Sequence, residues 1–358
     1  MKLASLILLL SCELFSQNMI NNKITEHGIL NYADRATIIA QGEIKKERMD
    51  NQRMLPAFSI HQPEKETLTI NLDETSVITG KKGVRLTIPA NSFVFSNYVY
   101  AYGNATIYLT EIIDDFDYLT AGVNHIFYDK YNRFNYLFLG GMIKIEAFQG
   151  NNRLRLAAKK IIMIDFPDLQ PGKKFNWYSI DDSGTWQLKD NFANYEVFEP
   201  EKGFKSDKRV VGVRRVNATS SGYWGFALQE IETTSLKGEW LDPGSIAGKN
   251  FQIACLGKNH RSYFMKWFSG KEYAINAFQN KVSRVFIADE NGNIAMSNDI
   301  QTTNKLGYDY LPESTDNFRQ QVEKISFQKI PDSAKNDLDK FREFLGLKKE
   351  LYTVSYPK

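Results

Sequence analysis

From Thr67 onward the chain repeats one device: apolar residues at every second position, over short runs that end in turn formers. Leu68, Ile70 and Leu72 alternate in this way, then Val84, Leu86 and Ile88, then Ile107 and Leu109. A period of two puts those side chains on one face of an extended strand, which a helix of about 3.6 residues per turn cannot do. The sharpest instance is Thr79-Gly-Lys-Lys-Gly-Val-Arg-Leu-Thr-Ile-Pro-Ala-Asn-Ser-Phe-Val94. Gly80 and Gly83 permit a turn, the alternation builds a strand, and Pro89 withdraws a ladder donor so that Ala90-Asn-Ser92 redirect the chain to a buried Phe93. This is a corner rather than a binding loop. Ile88→Asp is expected to unfold the domain, and Lys81→Ala or Lys82→Ala to change almost nothing.

The same alternation continues at 140–147, which reads as a hairpin with 153–156 through Gln149-Gly-Asn-Asn152. Strands are predicted again at 160–165, 175–180 and 185–188, so the expected fold is mainly β, an antiparallel β-sandwich. An aromatic share of 13%, with 24 Phe and 18 Tyr, supports it, because rings pack well on pleated surfaces. With 358 residues the chain has room for more than one domain. The polar, turn-rich stretch 199–210 reads as a linker between the sandwich at 63–198 and a second, smaller β unit at 211–305, whose Asn291-Gly292 marks a hairpin. The period then lengthens. Ser314 is placed to cap a helix carrying Phe318 and Val322, and Asp332 or Ser333 one carrying Leu338, Phe341 and Leu345 and ending at Gly346, so 306–358 is expected to hold amphipathic helices.

Residues 1–17 read as a signal peptide: Lys2, then an apolar run too short to span a bilayer, then small and polar residues. Two processing sites compete. Leu9-Leu10-Ser11-Cys12 is a loose lipobox that would leave a lipidated Cys12, and Leu14-Phe15-Ser16 before Gln17 is an ordinary signal-peptidase end. The second is preferred, because Leu10 is large for a lipobox and the chain from Asn18 is polar. A polar leader, 18–62, follows. Elsewhere the chain has no apolar run of about 18 residues, so no helical span is expected in the mature chain. Lys plus Arg (45) against Asp plus Glu (42) leaves +3, too little to steer nucleic acid or an anionic membrane.

Chemistry-bearing motifs are few. His27, His61, His125 and His260 lie far apart, in no zinc-binding spacing, and no metal is expected. There is no Gly-x-Ser-x-Gly elbow, and Gly80-Lys-Lys-Gly83 lacks the spacing and following helix of a phosphate loop, so no cofactor is expected. Cys255, inside an apolar run, reads as a buried small hydrophobe. Asp289-Glu-Asn-Gly-Asn293 resembles the start of a Ca²⁺ loop, but Ile300 stands at the twelfth position, so it reads as the hairpin turn. Glu111, Asp114, Asp115 and Asp117 cluster after a strand: they can hold Ca²⁺ at a sheet edge, form a carboxylate pair for glycoside hydrolysis, or simply line a solvated strand end. Trp177, Tyr178 and Trp186 flank a tight turn and either present rings to glycan or protein or pack a sandwich core.

Gly83-Val-Arg-Leu-Thr-Ile-Pro-Ala-Asn-Ser-Phe93, the strand ending Leu109-Thr-Glu111, Leu139-Gly-Gly-Met-Ile-Lys-Ile-Glu-Ala147 and Asn176-Trp-Tyr-Ser179 together resemble secreted β-sandwich proteins of Bacteroidetes-type bacteria. In those proteins an "IPANAF"-like corner precedes a "GGMIYIEA"-like strand. The corner is also similar, more weakly, to the ZU-type domain of ankyrins and netrin receptors. The resemblance covers about 66–190 and implies an exported sandwich with no enzymatic activity to carry over. This chain departs from it at Ser92 and at the aromatic link Phe95-Ser-Asn-Tyr-Val-Tyr-Ala-Tyr102. The expected function is that of an exported, non-catalytic envelope or surface protein, in the periplasm, at the outer membrane or on the cell surface. Its partner would be an envelope protein or glycan, and it would be lipid-anchored if Cys12 is the processed end. A secreted hydrolase acting on glycan or peptide is the alternative.

Overall fold

The computed structural model describes residues 56–357 except 124, 129–133, 181–185, 204–205, 231–232, 243, 259–262, 269, 304–319 and 348. The expected signal peptide, Cys12, most of the leader, His27, His260 and Ser314 with Phe318 lie outside the described residues; the far end of the helix expected there is corrected, since Gln320–Gln321 form a strand that pairs with Leu236 and Lys237 and Val322 follows it.

A short helix, α1 (Pro56–Ser59), precedes β1 (Lys65–Asn71), β2 (Ser76–Thr79), β3 (Arg85–Ile88), β4 (Phe93–Val94) and β5 (Asn104–Ile112). Helix α2 (Asp115–Ala121) leads to β6 (Ile126–Tyr128), β7 (Phe134–Gln149), β8 (Asn152–Leu156), β9 (Ile162–Pro167), β10 (Asn176–Ile180) and β11 (Trp186–Asp190). Strands β12 (Glu196–Phe198), β13 (Arg209–Val211), β14 (Val213–Ala218) and β15 (Gly222–Glu230) follow. The chain then forms β16 (Thr233–Leu241), β17 (Phe251–Gly257), β18 (Tyr263–Phe268), β19 (Glu272–Phe278), β20 (Val282–Asp289), β21 (Asn293–Met296), β22 (Ile300–Gln301), β23 (Gln320–Gln321) and β24 (Ile325–Lys329). Helices α3 (Asp332–Lys335) and α4 (Leu338–Leu345) precede the last strand, β25 (Tyr352–Val354).

The architecture is mainly β. A nine-stranded sheet in the order β1-β5-β7-β15-β10-β11-β6, with β8 and β4 attached, faces a five-stranded sheet, β12-β14-β9-β3-β2. Val84, Leu86 and Ile88 are buried, as the alternation requires, and share one core with Ile107, Leu109, Ile143 and Ile145 of the opposing sheet. The two sheets approach closely at Gly141 on β7, where an added Cβ would sit 2.2 Å from the Phe166 ring of β9. Phe166 then meets Phe226 of β15 edge-on at 5.4 Å. The expected hairpin at 149–152 forms, with Ala147 opposite Leu154.

The expected break at 199–210 does not divide the sheets. β14 pairs with β9 from Val213↔Pro167 to Ala218↔Ile162, and β15 lies between β7 and β10 in the middle of the first large sheet. The physical reason is that Val216, Ala218, Trp224 and Phe226, which follow the polar stretch, complete the first core. A second nine-stranded sheet, β18-β17-β20-β21-β24-β16-β19, begins at Thr233 and matches the first in strand number, so it is not the smaller unit expected from 211 onward. Its β20–β21 hairpin turns at Asn291-Gly292, with Asp289 Oδ1 accepting the Asn291 and Asn293 amides at 3.0 and 2.7 Å. Cys255 is buried in this sheet, and burial pushes its thiol up to about 12. Asp337, rather than Asp332 or Ser333, caps α4, accepting the Asp339 and Lys340 amides, and Gly346 ends it at φ 67°. Among the described residues no helix is long and apolar enough to cross a membrane.

Candidate functional site

The turn between β2 and β3 is tight: Gly80 N–H donates to the Val84 carbonyl (2.8 Å) and Gly83 N–H to that of Gly80 (3.0 Å), with Gly83 in the left-handed region at φ 88°. The other amides of the turn point back into the protein, where carboxylates take them. Lys81 N–H donates to both Glu66 oxygens (2.9 and 3.1 Å), Lys82 N–H to Glu111 Oε2 (2.6 Å) and Val84 N–H to Glu111 Oε1 (2.8 Å). Glu66 extends the inward stripe of Leu68 and Ile70 on β1, and Glu111 that of Ile107 and Leu109 on β5. Burial drives the Glu111 carboxyl up to about 8 against the pull of these amides, and the neighbouring Glu66 adds to the rise. Two carboxylates therefore lie close together beneath the turn, each accepting its amides.

Asp114 and Asp117 close the N-terminus of α2 as a capping box. Asp117 N–H donates to Asp114 Oδ1, and the Asp114 and Ile113 amides donate to Asp117 Oδ2 at 3.0 and 2.8 Å. Each carboxylate also meets a cation from far along the chain. Lys82 Nζ lies 2.5 Å from Asp117 Oδ1, and Arg342 of α4 donates to Asp114 Oδ2 at 2.9 Å while its other nitrogen lies 3.7 Å from Asp117. The Arg342 guanidinium rests on the Phe116 ring at 4.3 Å. Burial and the adjacent Asp114 push the Asp117 carboxyl up, and Lys82 pulls it down.

The predicted acidic cluster thus divides. Glu111 serves the turn, Asp114 and Asp117 serve the helix cap and its cations, and Asp115 stands half-buried in the first turn of α2. Among the described residues no group of His, Cys, Asp and Glu is arranged to hold a metal ion. Lys82, Arg342 and Glu66 were missed by sequence reasoning. Glu66 and Glu111 did carry a signal, an acid at the next position of an otherwise apolar stripe.

The predicted aromatic surface is corrected. Trp177, Tyr178 and Trp186 are all buried, because β10 is an interior strand with apolar layers on both faces. Trp177 stacks on Trp224 at 5.3 Å and donates to the Asn217 carbonyl, while Tyr178 turns to the other face against Phe127 and Trp186. Among the described residues the exposed rings are instead Tyr98, Tyr100 and Tyr102, on the link after β4.

Above the turn opens a cavity of about 360 Å³. Gly80 to Gly83 and Asp114 form one side, and the segment from Lys349 to Tyr356, with Lys208, forms the other. β25 is held there by parallel pairing with β13, Arg209 opposite Tyr352. The Tyr352 and Tyr356 hydroxyls donate to the Lys82 and Gly83 carbonyls at 2.6 and 2.8 Å. Val354 packs so close to Gly83 that an added Cβ would lie 2.5 Å from it. Comparison of the chain with family models, curated proteins and solved structures found no match.

Proposed function

We infer that this chain is an exported, non-catalytic protein of the cell envelope or surface, whose β-sandwich is a binding or structural module for an envelope protein or glycan. The observation that carries this reading is the fate of the acidic cluster. Glu111, Asp114 and Asp117 are each engaged by amides, a guanidinium or an ammonium of the protein itself, so the predicted cluster does not present its carboxylates as a free acid–base pair. The open cavity, by contrast, is walled by lysines and tyrosines, groups suited to holding a ligand. Export rests on the apolar run of 1–10 and the small polar residues after it, and on the resemblance of 66–190 to secreted sandwiches.

The test is to incubate purified protein with polysaccharide and peptide panels while reading both retention and product formation. Retention without turnover is expected. Turnover that disappears in Asp115→Ala would establish the hydrolase reading instead. The mass of the mature N-terminus decides anchoring: a chain beginning at Gln17 is soluble, and one beginning at an acylated Cys12 is lipid-anchored.

A further inference from the structure

We propose that the cavity between the 80–83 turn and the C-terminal segment is a binding site for an acidic saccharide, one bearing carboxylate or sulfate groups; this names the ligand class of the module inferred above and rests on that reading. Four lysines line it, Lys81, Lys82, Lys208 and Lys349, against the carboxylates of Asp114 and Glu350. The Asp114 carboxylate is already taken by Arg342. Lys82 is fixed by Asp117 and Lys81 by Glu64, so Lys208 and Lys349 stand against Glu350 alone and leave the lining with a surplus of one positive charge. Both are exposed, and among the described residues neither forms an ion pair.

These two ammonium groups come from segments far apart in sequence and reach one cavity because β13 and β25 run parallel: Lys208 immediately precedes β13, and Lys349 lies just before β25. Two like charges held at the rim of one space repel, and an anion between them relieves that repulsion. A compact free phosphate suits the site poorly. The 80–84 amides that would form an anion nest are turned away toward Glu66 and Glu111, and the lysine charges are spread around a space of about 360 Å³. An extended ligand with several separated anionic groups matches that spread. Leu351 and the tyrosine rings provide an apolar wall for the C–H face of a sugar.

The proposal is tested by calorimetric titration of the full protein at low salt with a galacturonate tetrasaccharide, a heparin tetrasaccharide, neutral cellotetraose and sodium phosphate. Binding of at least one acidic tetrasaccharide is expected. It should weaken tenfold or more in the Lys208→Glu/Lys349→Glu double variant and fall again as salt rises. The two acidic probes separate carboxylate from sulfate recognition. Both substituted residues are exposed, so an unchanged melting temperature confirms that the variant is folded. Failure of both acidic probes, equal binding of cellotetraose, or affinity indifferent to the double variant would overturn the acidic-ligand assignment. Retention of a neutral glycan or an envelope protein would then leave the binding module standing, whereas turnover would remove the module itself.

Discussion

Lys82 and Arg85 stand three residues apart on the same turn and strand, yet they enter opposite electrostatic settings. Arg85 shares the single carboxylate of Asp165 with Arg215: Arg85 donates to Oδ2 at 2.9 and 2.6 Å, and Arg215 to Oδ1 at 2.7 Å and Oδ2 at 3.1 Å. Each guanidinium is also covered by a ring, Tyr356 over Arg85 and Phe198 over Arg215. Lys82 belongs instead to an acid-rich centre in which, among the described residues, Lys82 and Arg342 are the cations paired with the buried acids Asp114 and Asp117, with Glu66 and Glu111 close by. The guanidiniums of a cation-rich centre stay charged in any ordinary solution. An acid-rich one must be balanced partly by protons, and that makes its stability a function of pH.

The largest way to break the contrast is Asp165→Ala. It strands two guanidiniums and should destabilise by roughly 3 kcal/mol, read by urea denaturation; a loss under about 1 kcal/mol would mean the centre behaves like a surface pair. Arg342→Ala comes next, at about 2 to 3 kcal/mol near pH 8. Its cost should shrink on acidification, because Asp117 is already biased toward its protonated form; a cost independent of pH would show that Arg342 acts mainly through its packing on Phe116.

The third prediction concerns the unaltered protein. Glu111 has a folded pKa of about 8 against an ordinary 4.5, so its contribution is fully present below 4.5 and is lost as pH rises through 8, at up to about 1.4 kcal/mol per pH unit. Buried His125 runs the other way: its folded pKa of about 3 against 6.5 gives stability present above 6.5 and lost as pH falls through 3. The two slopes oppose each other between 4.5 and 6.5, so stability should rise, level out across that window and then decline toward 8. Glu66→Gln removes a like charge while keeping an acceptor for the Lys81 amide, and should flatten the alkaline decline in a series of thermal melts. An unaltered decline would remove Glu66 from the account. The smallest effects are at the turn itself. Lys82→Ala should cost about 1 to 2 kcal/mol, by leaving buried Asp117 short of a partner, whereas Lys81→Ala, whose ammonium meets only the exposed Glu64, should leave the urea midpoint unmoved.

That difference between neighbouring lysines also marks where the sequence stops being legible. Alternation at 84–88 and 105–109 identified strands and their buried faces, because the period is written in adjacent residues. It carried no information about partners. β15 enters the sheet between β7 and β10, and Arg342 reaches Asp114 across 228 positions, and no local pattern encodes either meeting. Trp177 and Tyr178 were ambiguous for a related reason: a strand buried on both faces is apolar at successive positions, as is a surface patch of rings. The acidic cluster was visible as residues and misleading as chemistry, since its counter-ions came from the turn at 82 and the helix at 342. The equal expectation for Lys81 and Lys82 failed in the same way, because only the fold brings Asp117 within reach of the second.

The hydroxyl of Tyr352 meets the Lys82 carbonyl across 270 positions of chain. During synthesis the early sandwich strands, with their glutamate floor under 80–83, are therefore made long before the residues that roof them exist. Until β25 arrives, β13 has no strand beside it among the described residues and the turn lies open, so a chain arrested after α4 should offer a protease a bare strand edge that β25 otherwise covers. β25 thus roofs a turn that was made some 270 positions earlier in the chain.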